Sequence, residues 1–337
     1  MSQAPLVFTG TSGQDLINFV EAALQANVSF NAGATEPTTK YAYQFWADTS
    51  VGLLKQRNAA NSAWIILGSL GSTGLDIGHD GGQCQLVYTS ATIATLSPYN
   101  GNSIDLWNGT IWTPYTIPDV GITIDTTGSV WDAGAGLTTI AASTEYDIYC
   151  DYNSGTPRLV GYKHSVTSHT LSDGRQILTG TKAYRLVGKI QANASSQLEF
   201  SLVNRSVISW FNRRKLPLFV TTLGDNTSGT IPTEMNSAHR LSFLSWGTSD
   251  DLVSISHTGT LSNSVAGASA YVMVGIDASL QAALSGGFST GIASQIPASS
   301  LWNGTVSEGF HYATTKGKVS SGTMTLNAGE LKGEIQG

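Results

Sequence analysis

Charge is unusually scarce in this sequence. Only 12% of its 337 residues are Asp, Glu, Lys or Arg, about half the usual share of a globular domain. The 17 basic and 23 acidic residues leave a net charge of -6. No basic stripe offsets it, and binding nucleic acid through its phosphates needs clustered Lys and Arg. Nucleic acid is therefore not an expected partner. The one basic cluster, Arg213-Arg214-Lys215, reads as a solvated linker at a domain boundary. Cysteine is scarcer still. Cys84 and Cys150 are the only two, too few for a disulfide framework, and neither has a metal-ligand neighbour at short spacing. They read as buried free thiols of a protein assembled in a reducing cytoplasm, with a disulfide between them left open. The opening MSQAPLVFTG lacks the charged and apolar regions of a signal peptide. No apolar run approaches the ~20 residues of a membrane span, so membrane insertion is not expected.

What is present is β-forming. Hydrophobic content is ordinary at 41%, and glycine numbers 37, with Ser and Thr abundant beside it. A chain of that composition folds. Low charge with many hydroxyls and glycines suits tightly turned β structure and surfaces buried between subunits. The densest aromatic stretch is YAYQFWADTSVGLLKQRNAANSAWIILGSL, residues 41 to 70. Tyr41, Tyr43, Phe45 and Ala47 alternate with Ala42, Gln44, Trp46 and Asp48, the period of a strand. Asp48 to Gly52 and Asn58 to Ser62 are turns, so the stretch predicts a three-stranded meander with strands at Leu53–Arg57 and Ala63–Leu67. So short a unit buries too little to stand alone.

Before it, Gln14 to Gln25 predicts the one good helix near the start, with Leu16, Ile17, Val20 and Leu24 on one face and Thr11 or Ser12 as cap. About three turns long, it is marginal alone. It packs either on its own chain or on a partner. After the meander, GSTGLDIGH (71 to 79) reads as a linker. From Asp80 onward short β runs follow one another: Gln83 to Tyr88, Ile104 to Trp112 around the turn signal Asn108-Gly109, Gly121 to Ile124, Thr144 to Asp151, Leu159 to Tyr162, Ala183 to Ile190, Leu198 to Val203 and Val207 to Phe211. In TEYDIYCD, Tyr146, Ile148 and Cys150 share one face. Past Pro217 a second series runs through Arg240–Trp246, Asp251–His257, Ala270–Ile276, Gly309–Thr314, Gly322–Leu326 and Leu331–Ile335, with one or two helical turns over Ala278 to Leu284. Many short strands between turn signals predict β-sandwich or jelly-roll modules. LWNGT occurs twice, at Leu106–Thr110 and Leu301–Thr305, through related modules or through reused turn chemistry.

Chemistry is hard to find. Gly287-Phe288-Ser289-Thr290-Gly291 satisfies G-x-S-x-G, but a nucleophile elbow needs a strand before the Ser and a helix after it, and this context offers neither. The six histidines show no ligand spacing. Asp147 with Asp151, Asp250 with Asp251, and Asp76 with Asp80 are near in sequence, but a glycosidase needs two carboxylates facing each other at ~5 to 9 Å. No phosphate-cradling loop appears. No enzymatic activity, cofactor or metal is expected. Aromatic rings near C-terminal turns, chiefly Trp246, Trp302 and Tyr312 with Phe310 and His311 beside them, are candidates for stacking on sugar rings, or else they fill the sandwich core.

The segment FWADTSVGLLKQRNAANSAW resembles one that recurs in bacteriophage tail fibre and related virion-appendage proteins. QCQLVYTSATIATLSPYNG, TEYDIYCDYNSGTPRL and YRLVGKIQANASSQLEF resemble a β module of phage fibres, and EGFHYATTKGKVSSGTMTL with LKGEIQG resembles the closing hairpin of their C-terminal sandwich domains. The resemblance implies a mainly β virion protein assembled in the bacterial host cytoplasm: a short N-terminal helix and meander, then two β-sandwich or jelly-roll-like modules in an intertwined homotrimer. Its expected divisions are a virion-anchoring segment (1–36), a meander connector (37–71), a central β module (72–215) and a C-terminal receptor-binding sandwich (216–337). The N-terminus, through Leu16, Ile17, Val20 and Leu24, would meet other virion proteins. The C-terminus would meet a host surface glycan or protein. The alternative is a purely structural head fibre, decoration or baseplate protein. A polysaccharide depolymerase is disfavoured, because no ladder of parallel β-helix coils is visible.

Overall fold

A computed structural model describes residues 9–28, 30–71, 74–76, 82–132, 137–153, 155–277, 279–280, 285–288, 292 and 294–337. The chain is mainly β and forms two compact units, Met1–Gly81 and Gly82–Gly337.

In the first unit the helix α1 spans Gly13–Val28. It starts as its sequence predicts. Ser12 Oγ accepts the Asp15 N–H at 3.1 Å, and Asp15 Oδ2 accepts the Ser12 N–H at 2.9 Å. This reciprocal pair satisfies two amides that the first turn leaves free. The strands β1 (Phe45–Asp48), β2 (Leu53–Arg57), β3 (Trp64–Gly71) and β4 (Gly74–Asp76) form one antiparallel sheet in sequence order.

Two expectations are corrected here. The strand does not begin at Tyr41. Tyr43 has φ of +65°, and the Gln44 N–H donates to the Tyr41 carbonyl, so Tyr41 to Gln44 is a turn although its side chains alternate. The presumed linker supplies β4, a fourth strand paired to β3 through Ser69–Asp76. The unit's small core holds Ala26, Trp46, Ala47 and Leu54. Trp46 donates its indole N–H to the Gly33 carbonyl at 3.1 Å and lies against Trp64, ring centroids 5.3 Å apart.

The second unit begins with β5 (Cys84–Ser90), β6 (Ile93–Pro98), β7 (Ser103–Trp107), β8 (Trp112–Thr116), β9 (Ile122–Asp125), β10 (Thr127–Trp131), β11 (Leu137–Thr139), β12 (Glu145–Asn153), β13 (Thr156–Lys163), β14 (His169–Ser172), β15 (Arg175–Leu178), β16 (Tyr184–Gln191), β17 (Asn204–Arg205) and β18 (Val207–Ser209). It continues with β19 (Lys215–Thr221), β20 (Asn226–Thr227), β21 (Thr233–Glu234), β22 (Leu241–Trp246), β23 (Val253–Asn263), β24 (Ser269–Ile276), β25 (Ser279–Leu280), β26 (Ser285–Phe288), β27 (Ile296–Gly304), β28 (Glu308–Val319) and β29 (Met324–Gln336). The helical turn expected over Ala278 to Leu284 is corrected where it is described: Ser279 and Leu280 form a short strand that pairs with Ile276 and Gly275. The remainder of that expectation, 278 and 281–284, lies outside the described residues.

A sheet in the order β11-β10-β13-β12-β16-β15-β14, with β18 beside β16, runs through the middle of this unit. One of its faces packs on the β5-β6-β9 sheet and the β7-β8 hairpin. Tyr146, Ile148 and Cys150 enter that core together, as their alternation predicts, beside Leu86, Leu96, Ile124 and Trp131. The opposite face is also covered. Tyr149, Val160 and Leu186 join a second core with Leu216, Leu218, Phe243, Leu244, Trp246, Ile255 and Leu331, which draws on both sides of position 216. Those later residues belong to the sheets β17-β22-β28-β24-β25 and β19-β29-β23-β27. A third cluster around Leu261, Val272, Met324 and Leu326 closes the far end of the sandwich. The middle sheet thus has no wet face at its centre, and this brings charged side chains inside.

Candidate functional site

The sequence-derived aromatic candidates separate by burial. Trp246, at 3% exposure, is a core residue. Its indole N–H donates to the Ser209 carbonyl at 3.1 Å, and its ring meets Trp210 edge-on at 4.9 Å. As the last residue of β22 it points into the second core, so its face is not open to a sugar. Trp302 and Tyr312 are half-buried. Trp302 packs on the second core, and the Arg240 guanidinium lies 3.9 Å from the Tyr312 ring centroid. Phe310 is exposed and His311 is buried. On α1 the four candidates Leu16, Ile17, Val20 and Leu24 are between 45 and 59% exposed. Phe19, Ala22, Ala23 and Ala26 are the less exposed residues of that helix.

The other sequence candidates resolve as follows. Ser289 of G-x-S-x-G and Asp80 lie outside the described residues. Asp151 is held by Arg158 through both carboxylate oxygens, at 2.9 and 3.1 Å. Asp251 is buried and takes Arg213 at 2.6 Å, while Lys215 pairs with Glu334. Two members of the basic cluster are therefore ion-paired. Cys84 and Cys150 are both buried free thiols. Burial pushes the Cys84 thiol up to about 12 and raises Cys150 as well, so both are protonated and unreactive.

The structure assembles a cluster that sequence spacing does not reveal. Asp147 on β12 stands directly opposite Lys189 on β16, and both are fully buried at 0% exposure. The Lys189 ammonium lies 2.7 Å from Glu145 Oε1, 2.8 Å from Asp147 Oδ1 and 3.0 Å from Glu308 Oε1. His164 Nδ1 lies 3.0 Å from both Lys189 Nζ and Asp147 Oδ2. His169 closes the cluster. Its Nε2 meets Glu308 Oε1 at 2.8 Å and its Nδ1 meets Gln176 Oε1 at 2.9 Å. Both ring nitrogens thus face acceptor oxygens, an arrangement that needs two N–H donors and hence the imidazolium. Glu145 Oε2 also accepts the Phe310 N–H at 3.0 Å. Elements from before and after position 216 are joined here by charge. Trp246 lies 5.4 Å from Lys189 Nζ.

Electrostatics follows geometry. Burial works against the charge on Lys189, but Asp147, Glu145 and Glu308 outweigh it and raise the ammonium. Burial likewise opposes ionisation of Glu308, yet the His169 hydrogen bond and Lys189 bring it down to about 2. The hydrogen bond to Asp147 raises His164. Burial would lower His169, and its bonds to Glu308 and Gln176 more than reverse that.

Among the described residues, one group has the donor set of a metal site: Glu145, Asp147 and His164, with ligand atoms within 4.8 Å of one another. The Lys189 ammonium already sits against all three. The cation this cage takes is the protein's own, and no metal is assigned to it. Nothing in the sequence announced the cluster, because Glu308 is 119 residues from Lys189 and His164 falls outside any strand period shared with Asp147. The one available signal was negative: TEYDIYCD places a carboxylate on the face an exposed strand would solvate.

Among the described residues no helix is long and apolar enough to cross a membrane. No family model matches the chain, and no curated protein matches it. Among solved structures the chain is similar to the VP2 subviral particle of infectious bursal disease virus, with 13% identity over 76% of this chain and 71% of that one, at a TM-score of 0.27. The Gx strain of the same virus matches with 12% identity over 77% and 69%, at 0.26. A Cry1Da tryptic core variant of Bacillus thuringiensis matches with 11% identity over 76% and 51%, at 0.19. These scores are too low to transfer a function.

Proposed function

We propose that this chain is a structural subunit of a phage particle, a tail fibre or receptor-binding protein that associates with copies of itself and with other virion proteins through its first unit. The observation that carries the reading is the apolar face of α1. Leu16, Ile17, Val20 and Leu24 meet water on a helix that carries only two charges, Asp15 and Glu21. Ile17, Val20 and Leu24 follow the 3–4 spacing of a coiled-coil seam, which fits a copy of the same helix. The segment that resembles fibre proteins lies in the same unit, over β1, β2 and the start of β3. The second unit then presents the surface that meets the host.

Light scattering on the purified full chain tests the first half. A trimer that Ile17→Glu with Leu24→Glu converts to monomer is the expected result; a monomeric wild-type protein overturns self-association through α1. Labelled full-length protein tests the second half by saturable binding to host cells and competition with phage. A particle-bound protein that ignores cells supports the structural alternative: head fibre, decoration or baseplate. That alternative has an observation in its favour, since Trp246 is buried and the Tyr312 ring is covered by Arg240.

A further inference from the structure

The buried cluster contains a nucleophile, an electrophile, a base and an acid in contact, which a purely structural ion pair does not require. We propose that Lys189 and Asp147 condense spontaneously to an isopeptide bond, a covalent clasp between β16 and β12 formed by the protein on itself. Three observations point there. The two residues are direct cross-strand partners, so no backbone rearrangement is needed to bring them together. Lys189 Nζ lies 2.8 Å from Asp147 Oδ1, and that oxygen has no hydrogen-bond partner besides the ammonium among the described residues. Both side chains are fully buried, with the Trp246 ring 5.4 Å from Nζ, which disfavours hydrolysis of the amide once formed.

The flanking groups supply the proton transfers. Glu145 Oε1, 2.7 Å from Lys189 Nζ, takes a proton from the ammonium and leaves a neutral amine. His164 Nδ1, 3.0 Å from Asp147 Oδ2, gives a proton to the oxygen that departs. The amine attacks Asp147 Cγ, a C–N bond forms, the Cγ–Oδ2 bond breaks, and Oδ1 stays as the amide carbonyl. Of the three ammonium hydrogens one remains on the amide nitrogen and two leave with the oxygen as water, with Glu145 and His164 returned to their starting protonation. No oxidant, metal or cofactor enters. The carboxylates that hold Lys189 protonated slow the first proton transfer, so the bond forms by maturation after folding rather than at once. The driving force is the removal of two opposite charges from the interior, where ion pairs are costly even when well matched. Glu308 and His169 retain their own pairing after the reaction.

Mass spectrometry of the full-length protein, incubated folded and then denatured, tests this directly. The expected mass is one water lighter than the sequence demands. A tryptic digest should yield a branched peptide joining Asp147 to Lys189, with no cleavage after Lys189. Glu145→Gln keeps the size of the side chain and removes the base, so a folded Glu145→Gln protein should retain the full sequence mass. A wild-type protein that keeps its full mass after prolonged incubation, or cleaves normally after Lys189, overturns the proposal. A water loss that maps to any other pair of residues overturns it equally.

Discussion

The two compact units differ in what they bury. The first sets a small core beside apolar side chains in water: four on α1, with Phe30, Tyr41, Tyr43, Val51 and Ile65 exposed as well. The second also exposes apolar side chains, Val120, Ile231 and Ile292 among them, but it takes many more charges out of water: Asp147, Asp151, Arg185, Lys189 and Arg205 are buried, against Asp48 alone among the described residues of the first. Apolar surface left in water would contribute roughly 25 cal/mol per Å² if a partner covered it. A unit that buries charge has its geometry specified from several elements at once, because each charge must meet a partner that another strand delivers. The proposed association through α1 belongs to the first unit, and the buried charge cluster to the second.

The sharpest way to break the contrast is to unbalance the charge cluster. Lys189→Met leaves Glu145, Asp147 and Glu308 crowded around an apolar side chain, and removing one partner of a buried pair costs about 3–5 kcal/mol. Urea denaturation followed by tryptophan fluorescence should show a loss of that size; an unchanged midpoint would mean the cluster adds nothing to stability.

A smaller effect comes from His169. Its folded pKa is raised above the ordinary 6.5, so its stabilisation is complete below that value and fades as pH rises through the raised one. Glu308 is lowered from 4.5 to about 2, so its contribution holds above 4.5 and fades as pH falls towards 2. The pair therefore stabilises most between 4.5 and 6.5. His169→Gln should cost about 1.5–3 kcal/mol in that window, the range for a hydrogen bond to a charged group. Melting curves of wild type and variant should converge at alkaline pH; a pH-independent difference would remove the imidazolium from the account.

Gly188 sets the third test. It sits beside a register shift, where β12 pairs Ile148 with Gly188 and Tyr149 with Leu186. A Cβ there would collide with the Leu86 side chain and come within 2.7 Å of the Ile208 carbonyl oxygen. Gly188→Ala should cost about 1–3 kcal/mol by overpacking, measured by chemical denaturation. The smallest change in subunit stability belongs to the helix. Val20→Gln should move it by about 0.5 kcal/mol or less while weakening self-association in a sedimentation experiment. A large stability loss with unchanged association would show that α1 serves its own unit instead.

Legibility in the sequence followed the degree to which neighbours decide structure. The Ser12 cap and α1 are local, and so are the strands of the TEYDIYCD and YRLVGKIQ stretches, whose periods need only the backbone. The turn at Asn108-Gly109 also appears where its residues predict, between β7 and β8. The same LWNGT at Leu301–Thr305 does not turn there: Asn303 and Gly304 are strand residues of β27 paired with Ser254 and Val253. Tyr41 and Tyr43 alternate like a strand yet lie in a turn, because the Gln44 N–H reaches back to the Tyr41 carbonyl and Tyr43 takes a φ of +65°. Trp246, beside a glycine turn, left surface and core both open in the sequence, and elements distant in sequence decide for the core.

By itself, then, the sequence determined that this is a β protein with an amphipathic N-terminal helix and little charge, since composition and short-range periodicity act through the backbone alone. Only the tertiary structure decided that the middle sheet is buried on both faces. With no solvent left at its centre, Asp147 and Lys189 had to find each other, and beside Glu145 from the same strand as Asp147, His164, His169 and Glu308 had to come from three further places in the chain to balance them.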